Sequence, residues 1–253
     1  MRRISVKNTS ELRKMRRAGR VVAKALRLVK EEARPGVSTA ELDRHVEELI
    51  ADNNASPAFK GYRGFPCTMC ASINEQVVHG IPGNRKLEDG DLLSADIGAF
   101  VEDYAGDAAI TVEVGRCTET AERLCKTTHE ALSAAIDSVE AGVPVRTLSQ
   151  AIQDVVEDAG YSAVEKYTGH GIGKNIHEAP QVPNTAQGNP ERYSPRLPKG
   201  AVVAIEPMVN VGTEKTRVLN DGWTVVTRDK SFSAHFEHTV AVTAGGGEVL
   251  TCL

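Results

Sequence analysis

The sequence predicts an α+β chain that uses one unit of two helices and a β-ribbon twice. Three observations carry this. Apolar residues at helical spacing come in two pairs of segments, each pair is broken by a glycine–proline turn, and strand-like alternation follows each pair. The copies also align. At an offset of 106, Gly36, Val37, Leu42, Val46, Leu49 and Ile50 fall on Gly142, Val143, Leu148, Ile152, Val155 and Val156. Near an offset of 110, segment 89–98 overlies 198–207 and Asp96 falls on Glu206. Halves of about 10–115 and 118–250 then form one catalytic domain over residues 1–253, with the two sheets joined over a shared site and the helices outside.

Taken in order, the first helix begins at the N-cap Ser10 and carries Leu12, Met15, Gly19, Val22, Leu26 and Val29 on one face. Arg34-Pro35-Gly36 stops it. The second helix buries Leu42, Val46, Leu49 and Ile50. In the second half, residues 120–140 repeat the long helix with Ala121, Leu124, Ala131, Leu132 and Ala135. Gly142-Val143-Pro144 breaks it, and Leu148, Ile152, Val155 and Val156 mark the next one.

Composition narrows the class. The 253 residues are 41% hydrophobic and 25% charged, which excludes disordered, collagenous and coiled-coil chains. No apolar run reaches the length of a membrane span. The opening MRRISVKNTSELRKMRR has no apolar stretch behind its charges, so no secretory signal is read and a cytoplasmic protein is expected. Five cysteines, an odd and small number, argue against a disulfide framework. Cys67 and Cys70 have CxxC spacing but no second pair to complete a zinc site, and no redox context. Net charge is −4, yet residues 1–30 hold eleven Lys/Arg, Arg2 among them, against Glu11. That basic helix either balances an acidic body or touches nucleic acid.

The carboxylates carry the chemistry. The strand DLLSADIGAFV turns at Glu102-Asp103-Tyr104 into AGDAAITVEV, which puts Asp96 opposite Asp107. Opposed residues on such a ribbon have β-carbons about 5 Å apart. Two aspartates that close among apolar residues repel and lose hydration, and a cation between them relieves both. A second ribbon repeats the device, with Glu206 in the apolar strand 201–209 and Glu237 in 233–243. Unpartnered buried glutamates are costly. Four convergent carboxylates call for two divalent ions about 3.5–4 Å apart. The glycine-rich loop YTGHGIGKNIHEAPQVP (167–183) offers His170 and His177, one to complete the metal site and the other to face substrate. His79, at a strand end before Gly-Ile-Pro, is a third candidate. His45, His129, His235 and His238 read as ordinary core or surface residues.

SINEQVVHGIP, the Asp96/Asp107 pair, GHGIG followed by His177-Glu178, AIEPM and HFEHT together resemble type I methionine aminopeptidases over about residues 10–250. The resemblance implies the pita-bread fold, whose halves are related by pseudo-symmetry. It also implies a dinuclear site held by Asp96, Asp107, His170, Glu206 and Glu237, with Asp107 and Glu237 bridging. His79 and His177 would contact the substrate peptide, and Tyr62, Phe65, Cys70 and Trp223 would form a pocket for the methionine side chain. The chain departs from the usual family pattern at Ala95, Ala108 and Phe65, where a branched residue, a threonine and a tyrosine are common.

The activity expected from this likeness is removal of the initiator methionine from nascent polypeptides with a small second residue, through a metal-bridging hydroxide. Glu206 would shuttle the proton, His177 would stabilise the oxyanion and His79 would bond the peptide nitrogen side. The ions expected at such an oxygen and nitrogen site are Co, Mn, Fe(II) or Zn. The partners expected are nascent N-termini, the ribosome through the basic helix, and no membrane, the enzyme being a monomer. Prolidase-like enzymes share such a site but usually carry a further N-terminal domain, and non-catalytic relatives lose the ligands retained here.

Overall fold

The computed structural model describes residues 3–186 and 194–253, so Arg2 lies outside the described residues. The helix pairs form where the periodicity places them. α1 spans Thr9–Glu32, α2 Thr39–Asp52, α3 Glu119–Asp137 and α4 Val145–Asp158. The cap of α1 is Asn8, not Ser10. The Asn8 side chain accepts from the Ser10 and Glu11 N–H groups, and the Glu11 carboxylate accepts from the Asn8 N–H in return. That reciprocal box satisfies more of the exposed donors at the helix start than a lone serine.

Each helix pair packs on its own sheet. Val22, Leu26, Leu42 and Val46 are buried with Leu93 and Ile97 in one core, and Leu124, Leu132, Leu148 and Ile152 with Val203 and Val240 in another. A third cluster draws Met15 and Tyr104 from the first half and Ile172, Val202 and Ala241 from the second. The repeat reaches the backbone. The N–H of Gly36 donates to Leu87 at 2.8 Å, and that of Gly142 to Leu197 at 2.7 Å. Both glycines sit at left-handed φ, 93° and 91°, where a β-carbon is disfavoured. Isolated bridges join Ser38 to Lys86 and Pro144 to Arg196, at the same two offsets.

The first ribbon pairs Leu92–Val101 with Tyr104–Glu113, closed by a two-residue turn in which Glu102 and Asp103 both have positive φ. Such turns match the twist of the strands they join. Tyr104 already belongs to the strand, paired with Val101, and in this register Asp96 faces Ala109 and Asp107 faces Gly98. The two aspartates are diagonal neighbours on one face rather than opposite partners.

The second ribbon is interrupted. Val202–Ile205 pairs with His238–Thr243, whereas Met208–Asn210 pairs with Ser233–His235 in a different sheet. Glu206 and Glu237 therefore stand at the corners where the chain changes sheet, not within continuous strands. The halves meet at Ala109 and Glu237. The Glu237 N–H donates to the Ala109 carbonyl at 2.9 Å, and the Ala109 N–H returns to Glu237 at 3.3 Å. Thr239 fastens the same seam, accepting from the Asp107 N–H and donating to its carbonyl.

All five cysteines are free. Among the described residues, no helix is long and apolar enough to cross a membrane. Much of the positive charge on α1 meets acids of the body. Arg16 makes a two-pronged bond to Glu248, and Arg17 and Lys14 reach Glu102. Arg13 and Arg20 are exposed.

Candidate active site

One cavity of about 200 Å³ lies at the seam, and all eleven side chains singled out from the sequence line it. Its polar end gathers Asp96 and Asp107 from the first ribbon with Glu206 and Glu237 from the corners of the second. His170 arrives on the short strand Gly169–Gly171, beside Ala204 of Val202–Ile205. A β-carbon on Gly171 would strike the carbonyl of Ala179, so only glycine allows this close approach after His170. The imidazole Nε2 of His170 stands 3.4 Å from Glu206 Oε1 and 3.8 Å from Asp107 Oδ2. Its Nδ1 faces the Gly171 carbonyl at 3.0 Å, which leaves Nε2 to face the carboxylates.

These groups have no internal solution to their own charge. Oδ1 of Asp96, Oδ1 of Asp107 and Oε1 of Glu237 are buried without a hydrogen-bond partner among the described residues. Burial pushes the Asp96 carboxyl up to about 7. Burial, reinforced by the neighbouring carboxylates, pushes Asp107, Glu206 and Glu237 well above the usual range. Burial also lowers His170 to about 3, which keeps a neutral ring nitrogen free to ligate. Hard, mutually repelling carboxylate oxygens, three of them unpartnered, beside one neutral imidazole fit a divalent cation. Asp107, His170 and Glu237 each offer one ligand atom, all within 4.8 Å of one another.

The other end is aromatic and apolar. Phe65 meets Trp223 edge-on at 5.2 Å, and His79 meets Trp223 at 6.2 Å and Tyr167 at 5.8 Å. Trp223 reaches this wall because Val225–Thr227, just after it, pairs with Gln76–Val78, just before His79. Cys70 is buried opposite Asp96, and burial raises its thiol well above its usual value. It is an unionised group in the cavity lining. At the mouth, His177 lies 4.3 Å from the His170 ring, and the Tyr62 hydroxyl bonds its Nδ1 at 3.0 Å. The neighbouring Glu178 is tied to Lys7 at 2.9 Å, with Lys7 itself buried.

Sequence reasoning missed Tyr167 and Phe59, which also line the cavity. Tyr167 opens the same glycine-rich segment as His170, a usable signal. Phe59 has none. His235, read as an ordinary residue, is buried beside Glu237 with its Nε2 3.7 Å from Glu237 Oε2.

Fold and site together define a metallopeptidase. The description "Metallopeptidase family M24" matches residues 13–244. A methionine aminopeptidase of Clostridium acetobutylicum is 47% identical over 249 residues, covering 98% of each chain. The crystal structure of a methionine aminopeptidase from Thermotoga maritima, 41% identical, superposes with a TM-score of 0.96 over 99% of this chain and 100% of its own. The chain belongs to metallopeptidase family M24, in its type I methionine aminopeptidase branch, and has the pita-bread fold. A prolidase from Pyrococcus furiosus, 24% identical, shares the fold with a TM-score of 0.80, but this chain covers only 65% of it.

Proposed function

We propose that this metal-dependent exopeptidase releases the N-terminal methionine of newly made polypeptides whose second residue is small. The observation that carries the reading is one cavity with four carboxylates, three of them holding an unpartnered buried oxygen, and His170 at one end and an aromatic, sulfur-lined wall at the other. Two divalent ions, from Co, Mn, Fe(II) or Zn, would be held by Asp96, Asp107, His170, Glu206 and Glu237. Divalent ions in such a site acidify water to supply a nucleophile at neutral pH and polarise the scissile carbonyl.

The remaining steps belong to the chain's own residues. Phe65, Trp223, Tyr62 and Cys70 receive the thioether, which suits a polarisable, apolar wall. Glu206, which lines the cavity with its side chain 13% exposed, takes the proton and passes it to the leaving amine. The Tyr62 hydroxyl, donating to His177 Nδ1, leaves Nε2–H to bond the carbonyl oxygen as it gains charge. His79, lowered to about 4 by burial, is neutral and bonds the peptide nitrogen side. The cavity's small volume, closed by side chains from both halves, favours a small second residue.

The third apolar cluster, drawn from both halves, supports reading residues 1–253 as one catalytic domain, and we propose that it acts as a cytoplasmic monomer. We also propose that Arg13 and Arg20 of α1 touch ribosomal RNA near emerging chains, since Arg16 and Arg17 are already engaged. Co-sedimentation with ribosomes would then fall steeply with salt. Binding that survives charge reversal at Arg13 and Arg20 removes this contact.

The deciding experiment strips the protein with chelator and measures methionine release from Met-Ala-Ser and Met-Lys-Ser with and without Co or Mn. Metal-dependent release from the first peptide alone supports the reading. No release from a folded protein under any metal overturns it.

A further inference from the structure

His235 is 2% exposed, and its Nε2 has no hydrogen-bond partner among the described residues. An unpaired buried donor costs about 1–3 kcal/mol, so its placement needs a reason. Thr111 holds the backbone on both sides, its hydroxyl donating to the His235 carbonyl and accepting from the His235 N–H, each at 2.9 Å. Ser94 in turn meets the Thr111 hydroxyl at 2.8 Å. The ring is thus aimed by a chain of bonds that crosses from the first ribbon. It points at carboxylates. Nε2 lies 3.7 Å from Glu237 Oε2, and His235, Glu206 and Glu237 offer atoms all within 4.8 Å of one another. His235 is absent from the residues that line the cavity. It meets Glu237 without itself lining the cavity.

We propose that His235 is a positioning residue that holds the Glu237 carboxylate from behind through an Nε2–H···O bond, setting its orientation toward the cation. The proposal rests on the reading of Glu237 as a metal ligand. A ligand carboxylate left to rotate presents its oxygens poorly, and outer hydrogen bonds of this kind are worth about 10–100-fold in metal affinity. Nε2 and the Glu237 carboxylate already stand 3.7 Å apart, a few tenths of an ångström beyond hydrogen-bond distance. The bond would also pair the buried Nε2.

The test compares chelator-stripped parent, His235→Gln, His235→Leu and Asp107→Asn by calorimetric titration with Co(II), the Co(II) visible spectrum, peptide kinetics and thermal unfolding without metal. His235→Leu is expected to bind Co(II) about 10–100-fold more weakly, with kcat reduced and the metal-free melting temperature unchanged or raised. Gln keeps an N–H donor of similar reach and is expected to restore binding and the parent spectrum. If Leu is not tolerated, His235→Asn, too short to reach Glu237, replaces it. Leu or Asn binding as tightly as the parent overturns the proposal. So does Gln failing as completely as Leu with an altered Co(II) spectrum, which would make the imidazole a direct ligand. A parent that binds no Co(II) defeats the metal reading itself. A parent that binds, with Asp107→Asn losing it and Leu unaffected, defeats only the role of His235.

Discussion

The two halves supply the same kind of residue from ribbons of different construction. In the first, an unbroken ten-by-ten-residue hairpin carries Asp96 and Asp107 on one face. In the second, the ribbon is split after Ile205 and before His238, and the chain between them runs out through Met208–Asn210, Thr216–Val218, Val225–Thr227 and Ser233–His235. The tight hairpin fixes the spacing of its aspartates by backbone hydrogen bonds alone. The split ribbon gives up that regularity, places Glu206 and Glu237 at corners, and gains an arm that brings Trp223 over the cavity beside His79. One half is built to hold, and the other to hold and to cover. Their anchoring differs as well. The first hairpin starts at buried Asp91, which accepts from Arg85, Asn74 and the Glu88 N–H. The matching position in the second half is Ala201, set in apolar core.

The sharpest break of this comparison is Asp107→Asn. It removes a carboxylate that both halves share across the seam, and turnover should fall about 10³-fold or more, the loss of several kcal/mol of charge stabilisation. Metal content by mass spectrometry should fall with it while the fold persists. Full turnover with bound metal would remove Asp107 from the site. Next is His79→Ala, on the wall that the arm covers. Metal content should match the parent while kcat drops about 10²–10⁴-fold. Metal lost together with rate would mean the wall and the polar end are not separable.

The anchoring difference is tested by Asp91→Ala, which should cost about 1–3 kcal/mol in urea unfolding by stranding the Asn74 and Glu88 donors. A neutral result would show that the first hairpin needs no polar brace. The last effect is a pH dependence. In the metal-free chain the Asp96 carboxyl titrates near 7, against about 3.9 when unfolded. The folded state therefore keeps this proton longer, and stability drains away as pH rises from about 4 to about 7. Asp96→Asn escapes that loss, so its melting-temperature advantage over the metal-free parent should grow between pH 5 and pH 8. A constant gap would mean Asp96 is not held against its charge.

Legibility followed the range of the interaction. The helices, the repeat and the ligand types were readable because periodicity and turn glycines are local signals. The relation between Asp96 and Asp107 was readable only in kind. The expected pairing of Asp96 with Asp107 lies two residues from the observed partner Ala109, a difference that keeps the face and changes the partner. Ser10 drew attention as a cap, but Asn8 wins because Glu11 returns its bond. His235 carried no signal, since alternation along a broken strand does not say which sheet its side chain faces.

The sequence by itself determined the two helix pairs, the glycine turns that end them, and the presence of four carboxylates with histidines in apolar surroundings. These follow from spacing and from the cost of burying charge. Only the tertiary structure decided that Glu237 bonds Ala109 across the seam, that Glu206 stands where the chain leaves one sheet for another, and that Trp223 reaches the wall around His79. Those are contacts between residues tens to more than a hundred positions apart, and no local pattern encodes which strand edge finds which.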